Sequence, residues 1–243
     1  MTSQNEFTFV PALIVVDMQE DFCPPNGSLA VEGGRAIAPL INNLLNLPAF
    51  AIRIGTQDWH PSDHISFASN HPSPHNKPFE SFIDMTNPAP GKQHETKSQR
   101  LWPVHCVAST KGAEIIPEIA QTNKLDVLAK KGMDTRVEMY SVFSDAFQNM
   151  DPALHHRSVD VDVTAVLKQR GVTDVFVVGL AGDYCVKYTA IDAVKAGFRS
   201  YVVEDAVRSV DPGEGWKQAL REFDEVGVKV VRSNGPEVGR VRS

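Results

Sequence analysis

Four short stretches of this sequence carry residue types that could do chemistry together. The first is Gly179-Leu180-Ala181-Gly182-Asp183-Tyr184-Cys185-Val186, where Cys185 lies between an apolar run and a helix-periodic one. A thiol at such a turn meets the unpaired N–H groups and the positive dipole end of the helix, which favour the nucleophilic thiolate. The second is Asp58-Trp59-His60-Pro61-Ser62-Asp63-His64, joined further on by Trp102-Pro103-Val104-His105-Cys106. In extended backbone, residues i and i+2 face the same side, so Asp58 and His60 converge. Two or three imidazoles with one carboxylate suit a divalent transition metal that keeps positions open for water or substrate. The third is Lys130-Lys131-Gly132, where one ammonium could lower the pKa of a nearby thiol. The fourth is Asp17, a carboxylate ending an apolar run, which must find a partner or act in catalysis. Each has a plainer reading alone: a small buried thiol, loop histidines facing solvent, a solvated basic pair, a capping or turn aspartate. Cys106 is expected to be a buried structural thiol rather than a ligand.

The elements that must position these residues alternate regularly. Apolar runs at 11–17, 50–56, 124–129, 174–178, 200–204 and 228–231 predict strands, and apolar stripes at 33–47, 161–170, 189–197 and 215–225 predict helices. Continuous apolar strands separated by helices predict a three-layer α/β/α fold, a mostly parallel sheet with helices on both faces. Asp17, Lys131 and Cys185 each fall at the carboxyl end of a different predicted strand, and Asp58 with His60 at that of another. A parallel sheet gathers those ends along the edge where such folds bind ligands. Residues 57–112 break the rhythm: they are rich in Pro, His, Ser and Asn and predict a long loop region, placed to roof the site and carry the metal ligands. One domain over residues 1–243 is expected.

Composition narrows the function classes. A net charge of −6 argues against a nucleic-acid or anionic-membrane surface. Three widely spaced cysteines do not form a disulfide framework, so a reducing cytoplasmic setting is expected, with nucleus or peroxisome open for a eukaryotic chain. The opening residues Met1–Glu6 lack the pattern of a secretory signal, and no apolar run is long enough to span a membrane. No Gly-x-Gly-x-x-Gly run follows the first strand, against a dinucleotide binder.

Over residues 11–231 the chain resembles the nicotinamidases of the isochorismatase-like cysteine hydrolase family. The resemblance rests on Leu13–Cys23, Gly27–Val31, Gln57–Pro61, Leu101–Val107, Lys130–Gly132, Tyr140–Phe143 and Gly179–Val186. It implies an Asp17–Lys131–Cys185 triad, with Lys131 aligned because it directly precedes Gly132. It implies zinc or another divalent transition metal on Asp58, His60 and His105, with His64 matching a further ligand found in some members only. It also implies a cis peptide before Ala181 and an oxyanion site made by the Ala181 and Cys185 amides. Phe22, Leu29, Trp102, Tyr140 and Leu180 are expected to wall an aromatic ring. The activity implied is hydrolysis of the small-molecule substrate nicotinamide through a thioester, in NAD salvage. Two alternatives stay open: a metal-free hydrolase of carbamoyl or ureido amides on the same fold, and a non-catalytic protein on a flavodoxin-like sheet that binds an aromatic amide or nucleotide without turnover. A homo-oligomer is also left open.

Overall fold

The computed structural model describes residues 8–242; the segment read for a secretory signal lies outside them. Six strands form the main sheet: β1 (Pro11–Val16), β2 (Ile52–Asp58), β5 (Val127–Lys131), β6 (Asp174–Leu180), β7 (Arg199–Arg208) and β8 (Lys229–Val231). Their order is β5-β2-β1-β6-β7-β8, and every neighbouring pair is parallel. All six residues of β1 are buried, because β1 is flanked on both edges and covered on both faces.

Alternation along the strands divides the core in two. Leu13, Val15, Phe176, Val178 and Leu180 face one side, where they meet Ala38, Ile41, Leu44 and Leu45 of helix α1 (Ala38–Leu45) and Ile119 of the short helix α2 (Pro117–Ala120). Ala12, Ile14, Val16, Val175 and Val177 face the other. There they meet α4 (Val163–Gln169), α5 (Cys185–Lys195) and α6 (Glu214–Val226). Single turns α3 (Pro152–His155) and α7 (Pro236–Gly239) complete the set. The expected three-layer architecture is what forms. No helix among the described residues is long and apolar enough to cross a membrane.

The boundaries differ from expectation where they matter. Strand β2 runs on through Asp58 and β5 through Lys131, so both residues end strands rather than follow them. Helix α5 begins at Cys185, four residues earlier than the apolar stripe predicts. Residues 57–112 are not all loop: β3 (Phe82–Thr86) and β4 (Thr96–Arg100) pair as an antiparallel hairpin. Its residues are mostly exposed, so no apolar alternation marks it in the sequence. The Lys97 ammonium donates to the Ala146 carbonyl at 2.7 Å and ties the hairpin to the body.

Candidate active site

Residues from four adjacent strands meet at the carboxyl edge of the sheet. Asp17 directly follows β1 in a left-handed backbone conformation, with φ of 48°. Lys131 ends β5, and Cys185 opens α5 after the β6 turn. Pleating separates the two lysines: Lys131 is fully buried, whereas the Lys130 ammonium lies 4.0 Å from the centre of the Trp59 ring. The Lys131 Nζ lies 2.9 Å from Asp17 Oδ2 and 3.5 Å from Cys185 Sγ. It also pairs with Asp58 Oδ1 and donates to the Met139 carbonyl at 3.3 Å. Asp17 Oδ2 contacts the ammonium and, among the described residues, has no other hydrogen-bond donor aligned on it, which leaves a lone pair for the neighbouring thiol. Its other oxygen accepts from the Thr56 hydroxyl. Candidate ligating atoms of Asp17, Asp58 and Cys185 all lie within 4.8 Å of one another.

Burial governs protonation here. It raises the Asp17 carboxyl to about 6 against the pull of Lys131. It also raises the Cys185 thiol well above its usual value, and Lys131 only partly opposes this. Desolvation thus outweighs the helix start and the lysine that favour a thiolate, so the thiol proton needs an acceptor, and the Asp17 carboxylate stands beside it. For Asp58, burial alone would raise the carboxyl, but Lys131 and His60 hold it well below the usual carboxylate range.

A second cluster adjoins the first. Asp58 Oδ2 lies 3.5 Å from His60 Nε2 and 4.0 Å from His105 Nε2. His60 Nδ1 is 2.8 Å from the Gly132 carbonyl and His105 Nδ1 is 2.7 Å from the Pro103 carbonyl. A carbonyl only accepts, so both Nδ1 atoms carry hydrogen and both Nε2 atoms turn inward, where a neutral ring offers a lone pair. Among the described residues, His60 Nε2 is buried without a hydrogen-bond partner. One carboxylate oxygen and two inward lone pairs, one of them orphaned, fit a divalent metal ion. His64 stands apart from this set: its ring stacks on His60 with centroids 4.1 Å apart, and its Nδ1 is 2.8 Å from Ser66 Oγ. It groups instead with His60 and the buried Glu138. Cys106 is fully buried and outside the ligand set, as its plainer reading expects.

Between the two clusters lies a narrow slot of about 30 Å³ lined by Phe22, Leu29, Trp102, Tyr140, Tyr184 and Val210, with Cys185, Ala181, Asp58 and His105 at its base. Four of the five expected wall residues are there. Leu180 is the correction: it is fully buried in the core layer of α1 and packs towards Gly34. The cause is strand alternation, which sends Leu180 to the same side as Val178. Tyr184 and Val210 were not foreseen; Val210 follows β7 at a position with no local signal. The Asp183 carboxylate holds it there, accepting from the Val210 and Asp211 N–H groups at 2.9 and 2.8 Å.

Gln19 was also missed, although it lies two residues after Asp17 in the quoted motif. Its amide nitrogen donates to the Asp58 and Ala113 carbonyls at 2.8 and 2.9 Å, and its oxygen accepts from the Asp58 N–H at 2.8 Å. It thus pins the carboxyl end of β2 to the chain leaving β1. The turn into α5 contains a cis peptide between Leu180 and Ala181. Just before it, Gly179 has φ of 110°, and a Cβ there would stand 2.1 Å from the Val16 carbonyl oxygen, so only glycine lets β6 approach β1 so closely.

A parallel sheet with a thiol, an ammonium and a carboxylate gathered at its carboxyl edge defines a class of α/β cysteine hydrolases. Residues 11–235 match the isochorismatase domain, and the chain belongs to that family. It is 38% identical over 222 residues to the nicotinamidase of Acinetobacter baylyi, covering 91% of this chain and 92% of that one. Among solved structures it resembles the yeast nicotinamidase bound to the inhibitor nicotinaldehyde, with a TM-score of 0.81, 34% identity and coverage of 91% and 99%. It also resembles the pyrazinamidase of Pyrococcus horikoshii in complex with zinc, with a TM-score of 0.64, 31% identity and coverage of 92% and 99%.

Proposed function

We infer that this chain hydrolyses nicotinamide to nicotinate and ammonia, a step of NAD salvage, with Cys185 as nucleophile. The observation that carries the reading is the buried contact of Lys131 with both Asp17 and Cys185 at the base of an aromatic slot. The likeness to nicotinamidases supplies the substrate.

The ring enters between Phe22, Leu29, Trp102 and Tyr140, and its carboxamide lies over Cys185. Asp17 takes the thiol proton through its free lone pair as sulfur bonds to the amide carbon. Lys131 holds Asp17 in place and balances the charge of the forming thiolate. The carbonyl oxygen becomes an oxyanion that the Ala181 and Cys185 N–H groups receive; one such donor is typically worth about 3–4 kcal/mol of barrier. Cys185 is the first residue of α5, so its N–H has no acceptor within the helix. The carbon–nitrogen bond then breaks, Asp17 returns its proton, and ammonia leaves a thioester. Water attacks the thioester carbon and gives a proton to Asp17. The carbon–sulfur bond breaks, the proton passes back to sulfur, and the acid loses its remaining proton to solvent and leaves as nicotinate.

Asp58, His60 and His105 are read as ligands of zinc or another divalent transition metal. Such an ion would supply a Lewis-acidic pole beside the slot for the ring nitrogen. This chain's own residues fix that pole: Gly132 and Pro103 hold the imidazoles, and Gln19 holds Asp58.

Ammonia release from nicotinamide by the purified protein tests the reading, and its absence with the metal site filled would refute it. A carbamoyl hydrolase without metal is disfavoured by the inward-facing lone pair of His60.

A further inference from the structure

Beside the slot lies a larger cavity of about 220 Å³, between the β3–β4 hairpin and α5. Tyr140 and Tyr184 line both spaces and form the partition between them, their ring centroids 5.3 Å apart. The disparity in size matters. About 30 Å³ holds no more than a couple of waters, so the slot must widen before a ring enters, whereas the outer cavity is already open.

The outer cavity has the makings of an anion site. Arg100 lines it, and its Nη1 donates to the Tyr184 hydroxyl at 3.2 Å. Its guanidinium lies 5.4 Å from the centre of the Phe82 ring and 5.9 Å from that of Trp102. Among the described residues no carboxylate pairs with it; the two acids in the lining are engaged elsewhere. Asp145 accepts from Phe147 N–H and from Asn149, and Asp192 accepts from Ser144 and pairs with Lys195. Tyr140 supplies a second donor. Its hydroxyl accepts from Gln99 at 2.7 Å and from Trp102 at 3.0 Å, and none of the described hydrogen bonds uses its own proton. Burial keeps it a phenol, raising it well above its usual pKa. Tyr188 stacks on Tyr140 with ring planes 14° apart and adds a flat apolar wall.

We propose that this cavity is a second binding site, selective for an aromatic monocarboxylate, and that its occupant is the reaction product leaving the slot. The site thus rests on the activity inferred above for the identity of its ligand. A planar guanidinium to which no carboxylate is bonded can take a ligand carboxylate through paired charge-assisted hydrogen bonds, whereas a neutral carboxamide supplies no charge to it. The partition therefore divides a slot built for the amide from an outer chamber built for the acid. Because Arg100 also contacts the Tyr184 hydroxyl, an arriving carboxylate competes for the donor that holds the partition.

The test is calorimetric titration of nicotinate into protein whose Cys185 has been alkylated, which fills the slot and removes turnover. Nicotinate should still bind the alkylated protein with one site per chain, about tenfold or more tighter than nicotinamide, and more weakly as salt rises. Arg100→Ala should abolish that binding, and Arg100→Lys should restore part of it. Absence of nicotinate binding to the alkylated, folded protein would overturn the proposal, as would binding unchanged in Arg100→Ala. If that variant does not fold, the preference for acid over amide in the alkylated protein decides. Ammonia release by the unmodified enzyme is measured separately, so loss of the assigned activity and loss of this second site are distinguishable.

Discussion

The Gly132 carbonyl accepts from His60 Nδ1 at 2.8 Å, and a Cβ on Gly132 would stand 2.4 Å from Cε1 of the same ring. With φ of +69°, this glycine both orients the imidazole and leaves room for it. Gly132→Ala should displace His60 and weaken metal binding by about 10–100-fold, the usual cost of disturbing a ligand's support. Metal content after dialysis against a graded chelator is the measurement; retention equal to the parent protein would contradict the ligand role of His60.

Cys185→Ala is expected to lower ammonia release by about 10³-fold or more while nicotinamide still binds. The slot walls are untouched by this change, so binding measured by calorimetry separates loss of the nucleophile from loss of the pocket. Residual turnover within tenfold of the parent would exclude a thioester route.

The acid limb of kcat/KM should follow Asp17, whose carboxyl is raised to about 6 by burial. As a base it works only when deprotonated, so the rate should climb through about pH 6 and level above it, falling about tenfold per unit below. The Thr56 hydroxyl bond opposes the rise. Thr56→Val should therefore move the limb to higher pH. A limb that moves down, or stays fixed, would detach it from Asp17.

Iodoacetamide should label Cys185 before Cys23 or Cys106. The Cys23 thiol is pushed up to about 12, mainly by burial, and both Cys23 and Cys106 are shut off from solvent. Cys185 also rests as a thiol, but it opens onto the slot and has Asp17 as a local base. Peptide mapping after brief labelling gives the order, and prior modification at Cys23 would refute this account of access.

Gln19→Ala should destabilise the fold by about 1–3 kcal/mol, because it leaves the buried Asp58 N–H without its acceptor. Urea unfolding measures this. A variant as stable as the parent would mean that β2 does not depend on this side chain.

How much of this was legible in the sequence depended on how each residue is held. Asp17 and Asp58 could be placed because buried parallel strands read as apolar runs, and a charge at the end of such a run stands out, whereas two lysines end the weaker third run and only the family resemblance picked Lys131. Cys185 was placed at the strand-to-helix junction, but the burial that opposes its thiolate was not legible, because dipole and lysine effects are local whereas desolvation depends on the whole fold. The β3–β4 hairpin escaped because an exposed ribbon has no apolar period to betray it. Val210 escaped because it reaches the slot only through the Asp183 carboxylate, a contact between residues 27 apart. Leu180 was misassigned by reading proximity in sequence as proximity in space; one step of pleat turned it inward.

The chain enters β1 from the amino edge of the sheet, and the segment after α7 returns to that same edge. Arg240 lies 3.7 Å from the centre of the Phe9 ring, and the Ala49 N–H ahead of β2 donates to the Val241 carbonyl at 3.3 Å. The connection from α2 into β5, residues 121–126, also lies on this edge. An insertion or cut within 121–126 would therefore interrupt the polypeptide on this edge while leaving the opposite, reactive rim of the sheet intact.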